Sequence, residues 1–197
     1  MKIAILLLII LLVGFMVMTY ASNKKTERQP YRSVQFATGY EVRYYPALVM
    51  ATVKSSHADP WDDRNNNFRK LAGYIFGKNE GGHKIPMTAP VLMEQDSVKG
   101  STMSFVMPAR YQDGNLPIPA DSSINIHKST GGYYAVITFG GFAGKEKIRK
   151  KEAALSDLLK NAGITTTGNF IYMGYNAPWE LIGRENEIMI RINFNGE

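Results

Sequence analysis

Two stretches of this chain carry the period of an amphipathic helix, and each stands between runs of strand-like alternation. That order, strands, helix, strands, then strands, helix, strands, leaves few arrangements open. A chain with many strands and only two helices cannot supply a crossover helix for every parallel pair, so its sheet is expected to be antiparallel with the helices packed on it. The first helical stretch shows Phe68, Leu71, Ala72 and Ile75 at i, i+3, i+4 and i+7, which is one face of a helix. Asp59-Pro60 reads as its start, with an acceptor followed by proline at the first helical position, and Gly77 as its stop. The second runs from about Lys145 to Ala162, lined by Ile148, Leu155, Leu158, Leu159 and Ala162 and stopped by Gly163. Glu41–Tyr44, Leu48–Val53, Val91–Glu94, Thr102–Met107, Ser123–His127, Tyr133–Phe139, Phe170–Met173 and Glu187–Ile192 are the expected strands. The two halves look like a duplication of pattern without identity of sequence.

The N-terminus sets a second constraint. Ile3 to Met18 carries no charge, a length between a signal-peptide core and a membrane span. Residues 1–21 are expected to be an uncleaved signal anchor, with membrane contact through residues 3–19 and the domain outside the cytoplasm. Export with cleavage after Thr19-Tyr20-Ala21 is the alternative. Residues 22–33 are polar, contain Pro30 and read as a linker. One domain then fills residues 34–197, ample for a substantial core.

The formal net charge is +6. Lys2, Lys24, Lys25 and Arg28 against Glu27 account for half of it, so the domain itself is too weakly and too diffusely basic to suggest nucleic acid. The absence of cysteine excludes disulfides, thiolate catalysis and cysteine-metal sites. Gly140 to Lys145 is not a phosphate loop, because that motif needs glycine where Phe139 stands and Ser or Thr where Glu146 stands. His57, His83 and His127 show no metal spacing, and no G-x-S-x-G occurs. No catalytic residue is assigned. Glu180 beside Trp179, and Glu41, are the carboxylates from which a hydrolase would have to be built, although pairing with arginine is the commoner fate of such groups.

Six short runs in order carry a family likeness: Tyr40-Glu41-Val42-Arg43-Tyr44-Tyr45, Tyr74-Ile75-Phe76-Gly77-Lys78-Asn79, Lys84-Ile85-Pro86-Met87-Thr88-Ala89-Pro90-Val91, Phe139-Gly140-Gly141-Phe142-Ala143, Gly174-Tyr175-Asn176-Ala177-Pro178 and Arg184-Glu185-Asn186-Glu187-Ile188. Over residues 38–194 the chain resembles the SOUL/haem-binding-protein family. The resemblance implies an α+β fold: a distorted antiparallel β-barrel flanked by two helices with a pseudo-twofold repeat, here preceded by an N-terminal hydrophobic helix. It implies haem or free porphyrin held non-covalently as a carrier, buffer or sensor would hold it, in a shallow apolar cleft beside the first helix. Phe68, Leu71, Ala72 and Ile75 would form the contact face, with Tyr172 and Tyr175 nearby and Arg64, Arg69 and Lys78 placed for the propionates. Where one branch of the family has a histidine proposed as an iron ligand, Tyr44 stands, so no histidine ligation is expected there. Tyrosinate can bind ferric iron. Asn65 and Glu180 fall where the other branch has basic residues. A binding module for other flat hydrophobic molecules, and a small-molecule hydrolase, are the alternative readings.

Overall fold

The computed structural model describes residues 5–7, 14, 26–57, 59–96, 100–177, 179–180 and 182–194. The elements in chain order are β1 (Glu27–Arg28), β2 (Arg32–Ala37), β3 (Tyr40–Tyr45), β4 (Val49–Ser55), α1 (Arg64–Ile75), β5 (Thr88–Ala89), β6 (Val91–Asp96), β7 (Gly100–Val106), β8 (Ile124–Lys128), β9 (Gly132–Gly140), α2 (Lys145–Asn161), β10 (Thr166–Gly174) and β11 (Glu185–Ile192). Nine strands form one sheet in the order β2-β3-β9-β11-β10-β6-β7-β4-β8, antiparallel throughout. The expected antiparallel α+β architecture is therefore present. Among the described residues the sheet ends at β2 and β8, which do not pair with each other, so it is an open sheet and not a closed barrel.

The order contains a repeat. β9, α2, β10 and β11 form one unit, in which β11 lies between β9 and β10; β4, α1, β6 and β7 form another, in which β7 lies between β4 and β6. The units meet along one seam, β6 against β10, with Gly174 opposite Val91 and Ile171 opposite Glu94. β3 and β8 flank the two outer strands.

Both helices lie on one face, because alternate residues of each strand point to opposite sides. Val49, Ala51 and Val53 of β4 and Met103 and Phe105 of β7 join Leu71, Tyr74 and Ile75 of α1 in one core. Val42, Ala135, Ile188, Ile190 and Ile192 join Ile148, Leu155 and Leu159 of α2 in another. Trp61 and Tyr172 touch both, ring on ring at 5.6 Å. The opposite face carries a third core of Tyr45, Leu48, Met50, Leu92, Val136, Met173, Tyr175 and Met189. Leu71 is fully enclosed. Leu71→Ala should therefore cost about 2–5 kcal/mol, read from the denaturant midpoint at unchanged slope.

Two expectations shift. α1 begins at Arg64, not at Asp59-Pro60, because the acidic side chains before it are engaged elsewhere. Asp59 accepts the Trp61 backbone N–H at 2.9 Å, making a separate turn. Asp63, at the capping position, accepts instead from Ser55 and lies 2.8 Å from His57 Nδ1. Lys145 Nζ spans Asp59 and Asp62 at 2.8 Å each, tying α2 to the turn before α1. Burial opposes the Asp59 charge, but Lys145 and the Trp61 amide outweigh it and hold its carboxyl below the usual range. A carboxyl depressed on folding lends stability above its unfolded value of about 3.9 and loses it as pH falls through the folded value. Asp59→Asn should accordingly flatten the loss of stability between about pH 5 and pH 2 in urea titrations.

The stretch read as a linker is also structured in part. Glu27 and Arg28 pair in parallel with Thr88 and Ala89, and Arg32 and Ser33 already belong to β2 opposite Tyr44 and Arg43. The apolar run of residues 3–19 lies outside the described residues except for Ile5–Leu7 and Gly14, which are helical. Among the described residues, no helix is long and apolar enough to cross a membrane.

Candidate functional site

The positions that point away from the helices enclose a cavity of about 480 Å³. Its floor is apolar, made by Met50 of β4, Leu92 of β6, Ile171 of β10 and Met189 of β11. Tyr45 and Tyr134 wall one side, ring edge to ring face at 5.6 Å, and Arg191 donates to the Tyr134 hydroxyl at 2.8 Å. Lys54 and His127 bring cationic or protonatable groups to the lining, Lys128 borders it at the end of β8, and Glu94 is the carboxylate among the lining residues. Gln29, next to β1, lines it as well, so the chain's N-terminal strap forms part of the wall. On the β4–β7–β8 side, Thr52 Oγ1 lies 2.7 Å from Ser104 Oγ and 2.9 Å from His127 Nε2. This hydroxyl–hydroxyl–imidazole chain fixes the ring of His127 beside the cavity.

Next to that floor lies a buried charge cluster. Arg43, 5% exposed, donates to Glu41 at 2.6 Å, to Glu187 at 2.9 Å and to the Tyr45 hydroxyl at 3.2 Å. Glu187, 2% exposed, also accepts from the Tyr175 hydroxyl at 2.7 Å and from Thr138 at 3.0 Å. The guanidinium stacks 4.1 Å from the Tyr31 ring centre. Burial works against the Arg43 charge, yet Tyr45, Glu187 and Glu41 together raise its pKa above the ordinary arginine value. Burial, then the nearby Glu187 carboxylate, push the Tyr45 and Tyr175 hydroxyls upward, so both stay protonated donors or neutral acceptors at any physiological pH.

The residues expected to meet a ligand are divided among different environments. Leu71 and Ile75 are sealed in the core between α1 and the sheet, so neither presents surface to a ring. Phe68 is 37% exposed and packs edge-on against Phe105 at 5.5 Å; Ala72 is half-buried. Arg64 stacks over Trp61 at 4.7 Å, while Arg69 and Lys78 are exposed. Tyr172 and Tyr175, three apart on and just beyond β10, fall on opposite faces. Tyr172 lies on the helix side, in a 30 Å³ crevice between Trp61 and α2, donating to Asn186 at 2.7 Å; burial raises its pKa to about 12. Tyr175 belongs to the core of the other face. Tyr44 packs on Tyr133 at 5.2 Å on the helix side, so the cavity receives Tyr45 in its place. Glu41 is held by Arg43 and Ser33, and buried Glu180 accepts from Asn176 at 2.8 Å. Neither carboxylate lines the cavity. Among the described residues no group of three His, Asp or Glu is arranged for a metal ion.

The sequence reading missed the cavity because it took α1 as the ligand face. The signal that could have found it is the other parity of the same strands: Met50-x-Thr52-x-Lys54 and Asn125-x-His127 put polar and cationic groups on the face without helices.

The chain is thus an α+β domain: a two-unit antiparallel sheet with helices on one face and a hollow of about 480 Å³ on the other. The family described as SOUL heme-binding protein matches residues 26–191, and the chain belongs to that family. Heme-binding protein 2 of Mus musculus is 33% identical over 160 residues, 77% of each chain. The Homo sapiens Heme-binding protein 2 is 32% identical with the same coverage, and Heme-binding protein 1 of Sus scrofa is 27% identical over 77% of this chain and 82% of its own. At the level of fold alone, the EcmrR C-terminal domain superposes with a TM-score of 0.58 at 10% identity, covering 83% of this chain and 98% of that one. A hydrolase from Listeria innocua superposes with 0.51 at 10% identity over 88% and 97%.

Proposed function

We propose that the chain binds haem or free porphyrin non-covalently and reversibly in the cavity on the helix-free face, as a carrier, buffer or sensor. The carrying observation is a 480 Å³ hollow with an apolar floor and a lysine in its lining, in a chain whose relatives are named heme-binding proteins. Small-molecule pockets span roughly 300–1,000 Å³ and are mainly apolar with a few polar groups that orient the ligand. A tetrapyrrole is a flat apolar disc with two carboxylates. Covering its face on Met50, Leu92, Ile171 and Met189 gains about 25 cal/mol per Å² removed from water. Lys54, with His127 when protonated, supplies charge-assisted partners for the propionates.

Titration of the protein with hemin and with metal-free protoporphyrin tests this. Dissociation constants agreeing within a few-fold support packing without ligation. A preference for hemin of about tenfold or more, roughly 1.4 kcal/mol, that disappears in His127→Ala assigns the iron to His127. Binding of neither ring defeats the proposal. A second reading keeps the ligand on α1, where Phe68 is partly exposed and Phe76 is 65% exposed. Variants on the two faces separate the readings. The general alternative, other flat hydrophobic molecules, rests on the fold shared with the EcmrR domain.

We further propose that residues 3–19 tether the domain to a membrane, supported by the uncharged run from Ile3 to Met18. Resistance of the full chain to alkaline extraction from membranes is the expected result, and release into the supernatant would refute it.

A further inference from the structure

Three large apolar side chains stand open at one end of the sheet. Phe142, in the turn between β9 and α2, is 60% exposed; Trp179 and Ile182, in the connection between β10 and β11, are 63% and 66% exposed. The two connections are one surface. Arg184 places its guanidinium 4.7 Å from the Phe142 ring centre and donates to the Ala177 and Glu180 carbonyls at 3.1 and 2.6 Å. Asn186 reaches across to the Gly141 carbonyl at 2.8 Å. Exposed large apolar side chains gathered on one surface mark a contact site.

The charge around the patch is positive. Lys147 donates to the Gly140 carbonyl at 2.7 Å and, with Lys151, flanks the Phe139 ring at 5.5 and 5.8 Å. The carboxylates nearby are turned to protein donors: Glu146 to Lys150, Glu180 to Asn176, Glu185 to Arg28. Aromatic and aliphatic tips ringed by lysine suit the boundary between lipid headgroups and acyl chains.

The chain's own course points the same way. Arg28 pairs with Glu185 at 2.6 Å and stacks 4.6 Å over Tyr175, so the N-terminal segment enters the domain beside the start of β11, where this patch lies. Eight residues separate Met18 from Glu27, a reach of at most ~3.3–3.6 Å each. An apolar segment in a bilayer would hold this end of the sheet against the membrane surface.

We infer that Phe142, Trp179 and Ile182 dock the domain onto an anionic lipid surface, a reading that rests on the membrane tether proposed above.

The test uses the full chain in phosphatidylcholine–phosphatidylserine vesicles. Trp61→Phe leaves Trp179 as the single tryptophan of the two in the chain. Replacing the phosphatidylcholine by its chain-brominated form should reduce Trp179 emission about twofold, as insertion to the headgroup–acyl boundary requires. Lys147→Glu with Lys151→Glu should restore most of that emission. Flotation of the protein with vesicles but no quenching overturns the docking and leaves the tether standing. Failure to float overturns both. Shielding of Trp179 by a second copy, seen as a blue-shifted emission that bromolipid does not touch, also overturns it.

Discussion

Arg43→Met should lower the folding free energy by about 3–5 kcal/mol, the cost of removing one partner from a buried ion pair. The substitution keeps much of the side-chain volume and removes the cation that, among the described residues, meets both Glu41 and Glu187. Glu187 would keep Tyr175 and Thr138 as donors, but hydroxyls do not neutralise a carboxylate that is 2% exposed. For a domain of this size each kcal/mol moves the midpoint by about 2–4 °C, so thermal unfolding should begin roughly 6–20 °C lower. Arg43→Lys should fall between, because a single ammonium cannot reproduce the fork that contacts Glu41 through Nε and Glu187 through Nη1. A loss below about 1 kcal/mol for Arg43→Met would mean that the buried ion pair does not carry the cost assigned to it.

Thr102→Trp should weaken tetrapyrrole binding about tenfold or more while leaving stability within about 1 kcal/mol. Thr102 is a half-buried residue of β7 whose side chain lines the cavity, so an indole there fills space that the ring needs and tryptophan is well suited to a strand. Lys54→Glu should also weaken binding, and the loss should shrink as salt is raised. Phe68→Ser, on the other face of the sheet, should leave both affinities unchanged. The reverse pattern, in which Phe68→Ser abolishes binding and Thr102→Trp does not, would move the ligand to α1.

The helices and strands were legible because their periods differ, 3.6 against 2, and all eight strands expected from alternation are present, with β1, β2 and β5 added by the structure. Less legible was which face of each element would meet solvent. The stripe of Leu71 and Ile75 on α1 is what any helix needs to sit on a sheet, and nothing in its spacing separates a core-facing stripe from a ligand-facing one. The start of α1 was misplaced for a different reason: Asp59 and Asp63 both have the chemistry of a cap, but partners outside the helix, Lys145 for one and Ser55 with His57 for the other, claim them. Tyr44 and Tyr45 show the limit most clearly. One residue of register decides which of the two reaches the cavity, and register depends on the pairing of β3 with β9, which is fixed by contacts about ninety residues away.

The seam between β6 and β10 has a mechanical meaning. Each repeat packs its own helix, with Trp61 and Tyr172 bridging the two cores, and the hollow is shared: Met50 and Leu92 come from one repeat, Ile171 and Met189 from the other. The angle between the repeats thus sets the width of the slot, as the spine of a book sets its opening, and any change in that angle works on the Trp61–Tyr172 ring pair that joins the two helix-side cores. A disc seated between the pages fastens them together, so amide protons along Val91–Glu94 and Ile171–Gly174 should exchange more slowly once the ligand is bound.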